Sequence, residues 1–83
     1  MKVEMDERAV VYKLCVRKYD AYAYDEAGGY VHHKALLFFD RAVAVAHYEK
    51  EYAKDTRVIT GWRSSKTIDL YDYSIEEVTI YAE

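Results

Sequence analysis

Three histidines and one cysteine are the first candidates in this 83-residue chain for a metal site or a nucleophile. His32 and His33 are adjacent, and adjacent side chains of a strand point to opposite faces, so the two do not readily share one metal ion. His47 and Cys15 form no recognised ligand spacing with them. Cys15 beside a histidine could act as a nucleophile, but a lone cysteine in an apolar stretch is more often a packing residue. The sequence therefore predicts a non-enzymatic protein without a metal or cofactor.

Gly28 and Gly29 are the strongest turn signal in the chain. A phosphate-binding loop would continue with Lys and Ser or Thr and would connect a strand to a helix, and neither feature is present. The pair therefore predicts the turn of a β-hairpin.

Carboxylates and tyrosines alternate in two stretches that could form a binding surface. Residues 67–83 contain five carboxylates and no Lys or Arg, whereas residues 1–66 contain twelve basic and ten acidic side chains. If neighbouring strands bring both stretches together, the resulting negative face would attract a basic, nucleic-acid-handling host protein. The alternative is a solvated face that only keeps the protein in solution. The candidate residues are Asp20, Tyr22, Tyr24, Asp25, Glu26, Asp69, Tyr71, Asp72, Tyr73, Glu76 and Glu77.

A second candidate surface combines basic side chains with the single tryptophan. An exposed Trp62 next to Arg63 would suit stacking on a nucleic-acid base or anchoring a partner protein. The competing interpretation, which we favour from the sequence, is that the only tryptophan fills a thin core. The residues of this alternative nucleic-acid site are Lys13, Arg17, Lys18, Arg57, Trp62 and Arg63.

The first half of the chain predicts two strands followed by a helix. Residues 8–19 and 30–39 alternate apolar and polar side chains with the period of a half-buried strand. Asp40 is a suitable helix N-cap for the alanine-rich residues 41–55. One long helix from about Lys34 is the alternative. The predicted inner face of the helix consists of Ala42, Val45, Glu49 and Tyr52, with Ala46 and Ala53 beside them.

The second half of the chain predicts three further strands, in residues 57–63, 67–71 and 73–81. In the last of these, the apolar residues change parity between Ile75 and Val78, which predicts a β-bulge at Glu76 and Glu77. The predicted fold class is α+β. It comprises an antiparallel sheet of four to five strands with one helix packed on one face, in the order ββαβββ.

Length and composition predict a single domain over residues 1–83. A chain this short buries only about 60–65% of its unfolded surface, and its thin core and exposed sheet edge favour self-association. A structural or oligomeric accessory protein, which could form a homodimer, is therefore a further alternative function. No apolar run reaches the roughly 20 residues of a membrane span, and the N-terminus does not read as a signal peptide. The lone cysteine favours a reducing, cytoplasmic location.

The stretches FFDRAVAVAHYEKEY and YSIEEVTIY combine a capped helix with a terminal strand that carries paired glutamates. They resemble small proteins encoded by phages and bacterial mobile elements, among which are anti-CRISPR and other anti-defence inhibitors. The resemblance implies a protein-binding inhibitor or regulator in the cytoplasm of a bacterial host. It carries over no functional residue.

Overall fold

Alternating apolar residues place the first strand at the centre of a three-stranded antiparallel sheet. The computed structural model describes residues 8–81. Strand β1 (Arg8–Asp20) pairs on one side with β2 (Gly29–Phe38) and on the other with β5 (Tyr71–Tyr81). The strand predicted over residues 30–39 is confirmed within one residue, so the alternative of a helix from Lys34 is wrong.

The connection between β1 and β2 contains a short helical turn, α1 (Ala23–Glu26), in which Tyr24 and Asp25 adopt left-handed backbone angles with φ of 54° and 59°. Gly28 follows with φ of 82°. A Cβ atom on Gly28 would overlap the hydroxyl of Tyr19, so this position requires glycine for its conformation and its close packing. The predicted turn is therefore present, within a longer loop.

Helix α2 (Arg41–Glu51) begins where the sequence predicts, because the Asp40 side chain accepts a 2.8 Å hydrogen bond from the Ala42 N–H. The predicted inner face is correct at Tyr52, which packs against the core, but wrong at its alanines. Ala44 and Tyr48 are buried, whereas Ala42 and Ala46 are exposed. The inner stripe follows positions four residues apart, which brings the small Ala44 close to the sheet.

The core is a thin layer between α2 and one face of the sheet. Leu14 and Val16 are fully buried against Ala44 and Tyr48. The overall dimensions of 73 × 27 × 12 Å agree with a single helix covering a narrow sheet. The partly buried residues around this layer are Leu36, Phe38, Tyr52, Tyr71 and Ile75.

Strands β3 (Thr56–Thr60) and β4 (Ser65–Asp69) form a separate two-stranded hairpin, which we call the hairpin arm (residues 56–69). The α+β class and the predicted order of five strands and a helix are confirmed, but the strands form two sheets rather than one. The division lies at Leu70. Its carbonyl accepts from the N–H of Tyr19 and its own N–H donates to the carbonyl of Asp55, which ties the root of the arm to the end of β1.

The β-bulge predicted at Glu76 and Glu77 is wrong. Strand β5 pairs with β1 in continuous register from Tyr71 to Tyr81. The register shift in this sheet lies instead between Val16 and Arg17, where β1 meets β2. The parity change arises because β5 uses both faces: Ile75 packs towards the core, and Val78 lies opposite Val11 on the other face.

Candidate functional site

Trp62 lies at the tip of the hairpin arm and is 92% exposed. The prediction that it fills the core is therefore wrong. The guanidinium carbon of Arg63 lies 4.9 Å from the centre of the Trp62 ring, so a cation and an aromatic face are presented together. Burial of the Trp62 ring in the core would have been favourable. The turn at Gly61 instead places Trp62 beyond the last residue pair of the hairpin, Thr60 and Ser65.

The register of the hairpin places its charges on one face. Arg57 lies opposite Ile68 and Ile59 opposite Lys66, and directly opposed residues share a face of an antiparallel pair. Arg57 and Lys66 therefore flank the two half-buried isoleucines. Twelve of the fourteen residues of the arm are exposed. With Arg63 at the tip, residues 56–68 hold three cations and no carboxylate.

Sequence reasoning missed Lys66. The signal was available, because pairing the two β-rich stretches about Gly61 puts Arg57 and Lys66 on the same face.

Two of the three carboxylates of β5, Asp72 and Glu76, lie beside cations of β1. Arg17 donates two hydrogen bonds of 2.7 Å to Asp72, a bidentate pair, and the Lys13 Nζ lies 3.6 Å from an oxygen of Glu76. These contacts explain how a terminal segment without Lys or Arg is tolerated: its counter-charge comes from the neighbouring strand. Because Lys13 and Arg17 are paired in this way, they do not belong to a stripe of unpaired basic residues.

The tyrosines of β5 face the helix, on the opposite side of the strand from Asp72 and Glu76. The ring centres of Tyr71 and Tyr52 are 4.9 Å apart, and those of Tyr73 and Tyr48 are 4.2 Å apart. Glu77 shares the helix side of the strand and lies opposite Tyr12. The predicted acidic and aromatic residues of β5 are thus divided between two faces.

The loop between β1 and β2 keeps an exposed acidic and aromatic cluster. Tyr22 and Tyr24 are 79% and 67% exposed, and Asp20 and Asp25 are exposed beside them. We call residues 20–26, which end at Glu26, the tyrosine loop. It lies at the same end of the sheet as Asp69, the last residue of the arm, whose carbonyl accepts a 2.6 Å hydrogen bond from the hydroxyl of Tyr30.

The described part of the chain has no excess of negative charge. Residues 8–81 contain eleven Lys and Arg side chains and eleven Asp and Glu side chains. The formal charge of −3 therefore arises from residues 1–7 and 82–83. A long negative surface, as predicted from the C-terminal stretch, would require carboxylates that the fold instead places next to β1.

Two tyrosines have raised pKa values because their phenol groups are shielded from water. Burial is the main cause for Tyr48, and the negative charges of Asp72 and Asp69 add to it, which raises the pKa of Tyr48 to about 12. Burial, followed by the charges of Asp72 and Asp69, also raises the pKa of Tyr30. Both phenols are therefore neutral near pH 7, and neither contributes negative charge to the sheet.

A cavity of about 330 Å³, which we call the root pocket, lies where the hairpin arm joins the sheet. It brings together two predicted basic residues, Lys18 of β1 and Arg57 of β3. The Arg57 guanidinium lies 5.6 Å from the centre of the Tyr19 ring. The residues around the pocket are Lys18, Tyr19, Asp20, Ala21, Tyr22, Val31, His32, His33 and Arg57.

Among residues 8–81, no three His, Cys, Asp or Glu side chains converge as metal ligands. His47 packs against Phe38, with ring centres 5.3 Å apart. Cys15 is a free, half-buried thiol. In the same range, the structure contains no helix long and apolar enough to cross a membrane.

No family model, curated protein or solved structure matches this chain.

Proposed function

We propose that this protein is a non-enzymatic binding protein and that its hairpin arm holds a single-stranded nucleic acid. The observation that carries the proposal is the 92% exposure of Trp62, beside Arg63, at the tip of the arm. Exposing an indole ring to water is unfavourable. A nucleobase stacked on the ring would cover it, and every base has a flat face that can stack in this way.

The charge distribution of the arm supports an anionic ligand. Arg57, Arg63 and Lys66 stand on the arm without a carboxylate between residues 56 and 68. Elsewhere Lys13 and Arg17 are already paired with carboxylates. The arm is therefore a place where a strand of phosphates gains attraction without first breaking an internal ion pair.

The dimensions of the arm suit a short stretch of single strand. Arg57 and Thr60 are three residues apart along β3, which corresponds to about 10 Å at roughly 3.3 Å per residue, and Trp62 follows in the turn beyond Thr60. Phosphates would lie along the face that carries Arg57 and Lys66, and one base would stack on Trp62. This arrangement predicts binding that depends on salt and tolerates sequence changes.

The first testable prediction concerns Trp62→Ala. Loss of one stacking surface costs about 1–3 kcal/mol, so affinity for a fluorescein-labelled oligothymidylate of about 10 nucleotides should fall roughly 5- to 150-fold, as measured by anisotropy at low salt. The matched control is Phe39→Ala, because Phe39 is 85% exposed at the opposite end of the sheet. Equal affinities for wild type and Trp62→Ala would contradict a role for the tip.

A second candidate function is inhibition or regulation of a basic, nucleic-acid-handling host protein, of the anti-CRISPR or anti-defence type. The observation that favours it is the tyrosine loop, in which Tyr24 and Asp25 hold left-handed backbone angles while Tyr22 and Tyr24 stay exposed. Such angles cost energy and are common at contact sites. Tyrosines supply rigid contact area, and Asp20 and Asp25 would attract a basic surface.

This second function has its own test, a capture experiment from bacterial lysates. A partner of the loop should be captured by wild type and by Trp62→Ala, and lost with Tyr22→Ser combined with Asp25→Lys. Capture that is unaffected by the loop substitutions would remove this candidate.

A further inference from the structure

The root pocket brings together basic side chains at a position that none of the sites predicted from the sequence covers completely. Lys18 and Arg57 are basic side chains that come from different sheets. The one carboxylate at the pocket, Asp20, accepts a 2.9 Å hydrogen bond from the backbone N–H of Tyr22. That bond engages one carboxylate oxygen and leaves two cations facing one anion.

The remaining groups of the pocket suit a phosphate with an attached aromatic ring. His32 and His33 line it and can supply further N–H donors. Tyr22 is 79% exposed at its edge and offers a ring on which a base could stack. A volume of about 330 Å³ is at the small end of the range of roughly 300–1,000 Å³ for small-molecule sites.

We propose that the root pocket binds a phosphate group of a nucleotide, with Lys18 and Arg57 as its charged contacts and Tyr22 as the stacking surface for the base. The phosphate is either the terminal monoester of a strand or an internal diester. The role of the pocket in holding a strand rests on the proposed function, whereas its binding of a free nucleotide does not.

Arginine is the reason to expect an oxyanion such as phosphate rather than a simple halide. Its planar guanidinium presents paired N–H donors that match two phosphate oxygens, and the Tyr19 ring below it restricts its orientation. Arg57 also belongs to the charged face of the hairpin arm, together with Lys66. A strand that enters the root pocket would therefore continue along the arm towards Trp62.

The experiment titrates the full-length protein with thymidine 5′-monophosphate and, as the reference without phosphate, with thymidine. Amide resonances of Ala21 and Tyr22 serve as reporters in NMR spectra, because both residues line the pocket. The monophosphate should shift them in a saturable manner and thymidine should not. Lys18→Gln and Arg57→Gln should each weaken binding about tenfold or more, since each removes a charged hydrogen bond.

Arg41→Gln is the matched control. Arg41 is an exposed cation at the start of α2, at the end of the sheet away from the pocket. Both pocket cations are exposed, so circular dichroism spectra of all three variants should match that of the wild type.

Oligothymidylates with and without a 5′-phosphate distinguish the two sources of phosphate. A preference for the phosphorylated strand that disappears in Arg57→Gln supports a terminal monoester. Equal affinities that both fall in Arg57→Gln support an internal diester. Monophosphate binding that is absent, or unchanged in both pocket variants, overturns the proposal even if Trp62→Ala still weakens strand binding. Monophosphate binding without any strand binding leaves the pocket intact and removes only the proposed function.

Discussion

At the scale of single residues, the ion pairs of the sheet determine which charges remain available for binding. Arg17 and Asp72 form a bidentate pair, while Lys13 and Glu76 meet at 3.6 Å. From the sequence alone, Asp72 and Glu76 had no counter-charge, because their partners lie more than fifty residues away along the chain. Only the strand pairing reveals them. The candidate acidic surface could therefore be identified by composition but not evaluated.

A double-mutant cycle measures these pairs. Exposed pairs contribute about 0.2–1 kcal/mol to the free energy of unfolding, and bidentate geometry favours the upper part of that range. Arg17→Ala, Asp72→Ala and the double variant, compared by urea denaturation, should give a larger coupling energy than the same cycle for Lys13 and Glu76. Equal or reversed coupling energies would show that the geometry of the guanidinium pair adds nothing.

Tyr48 gives the fold a defined sensitivity to alkaline pH. Its pKa is about 12 in the folded protein, compared with 10.0 for an unperturbed tyrosine. Its stabilising contribution is complete below pH 10 and is lost as pH rises through 12, because the unfolded chain releases its proton first. In that window this group lowers the free energy of unfolding by up to about 1.4 kcal/mol per pH unit.

Tyr48→Phe removes this titrating group while keeping the ring that packs on Tyr73. Urea denaturation at several pH values between 10 and 12 should therefore show a shallower decline for Tyr48→Phe than for the wild type. Parallel declines in the two proteins would mean that the Tyr48 hydroxyl is not shielded in the native state.

At the scale of elements, the sequence identifies individual strands better than their assembly. The strands in residues 8–19 and 30–39 and the cap at Asp40 are local signals, and each is confirmed within one or two residues. The division into two sheets depends on Leu70, whose backbone bonds reach to Tyr19 and Asp55. Because these contacts join residues that are far apart along the chain, they produce no pattern in the local sequence.

The incorrect bulge has a similar cause. A parity argument assumes that one face of the strand is apolar and the other is polar. Strand β5 places Ile75 towards the helix and Val78 on the opposite side, opposite Val11, which is 5% exposed. Both faces therefore hold apolar residues, and the pattern indicates no break in register.

The thin core makes the fold sensitive to single truncations beneath α2. Leu14 is fully buried in the layer formed with Ala44 and Tyr48. Leu14→Ala should lower the free energy of unfolding by about 2–5 kcal/mol, which is a large part of the total for a small domain. Chemical denaturation measures this loss.

Leu37→Ala is the control at a site that is 62% exposed in β2, where the change should stay within about 0.5 kcal/mol. Similar losses for the two variants would contradict the burial of Leu14 and the exposure of Leu37.

At the scale of the whole molecule, the hairpin arm carries a local excess of basic side chains. Residues 8–81 are formally neutral, yet the hairpin arm holds three cations and Trp62 in its exposed portion. A chain with a net charge of −3 would not be selected as a nucleic-acid binder by composition. The local distribution of charge nevertheless favours nucleic-acid binding at the hairpin arm, because screening limits the range of each charge to about 8–10 Å at physiological salt.

The most direct test of this account is the intrinsic fluorescence of Trp62, the single tryptophan of the chain. Titration with an oligothymidylate of about 10 nucleotides should quench its emission in a saturable manner, because a base stacks on the ring. Repeating the titration at several salt concentrations should give a slope of log K against log salt of about −2 to −3, as expected when three or four cations contact a single strand. Emission that stays unchanged at low salt, with the protein folded, would contradict binding at the hairpin arm.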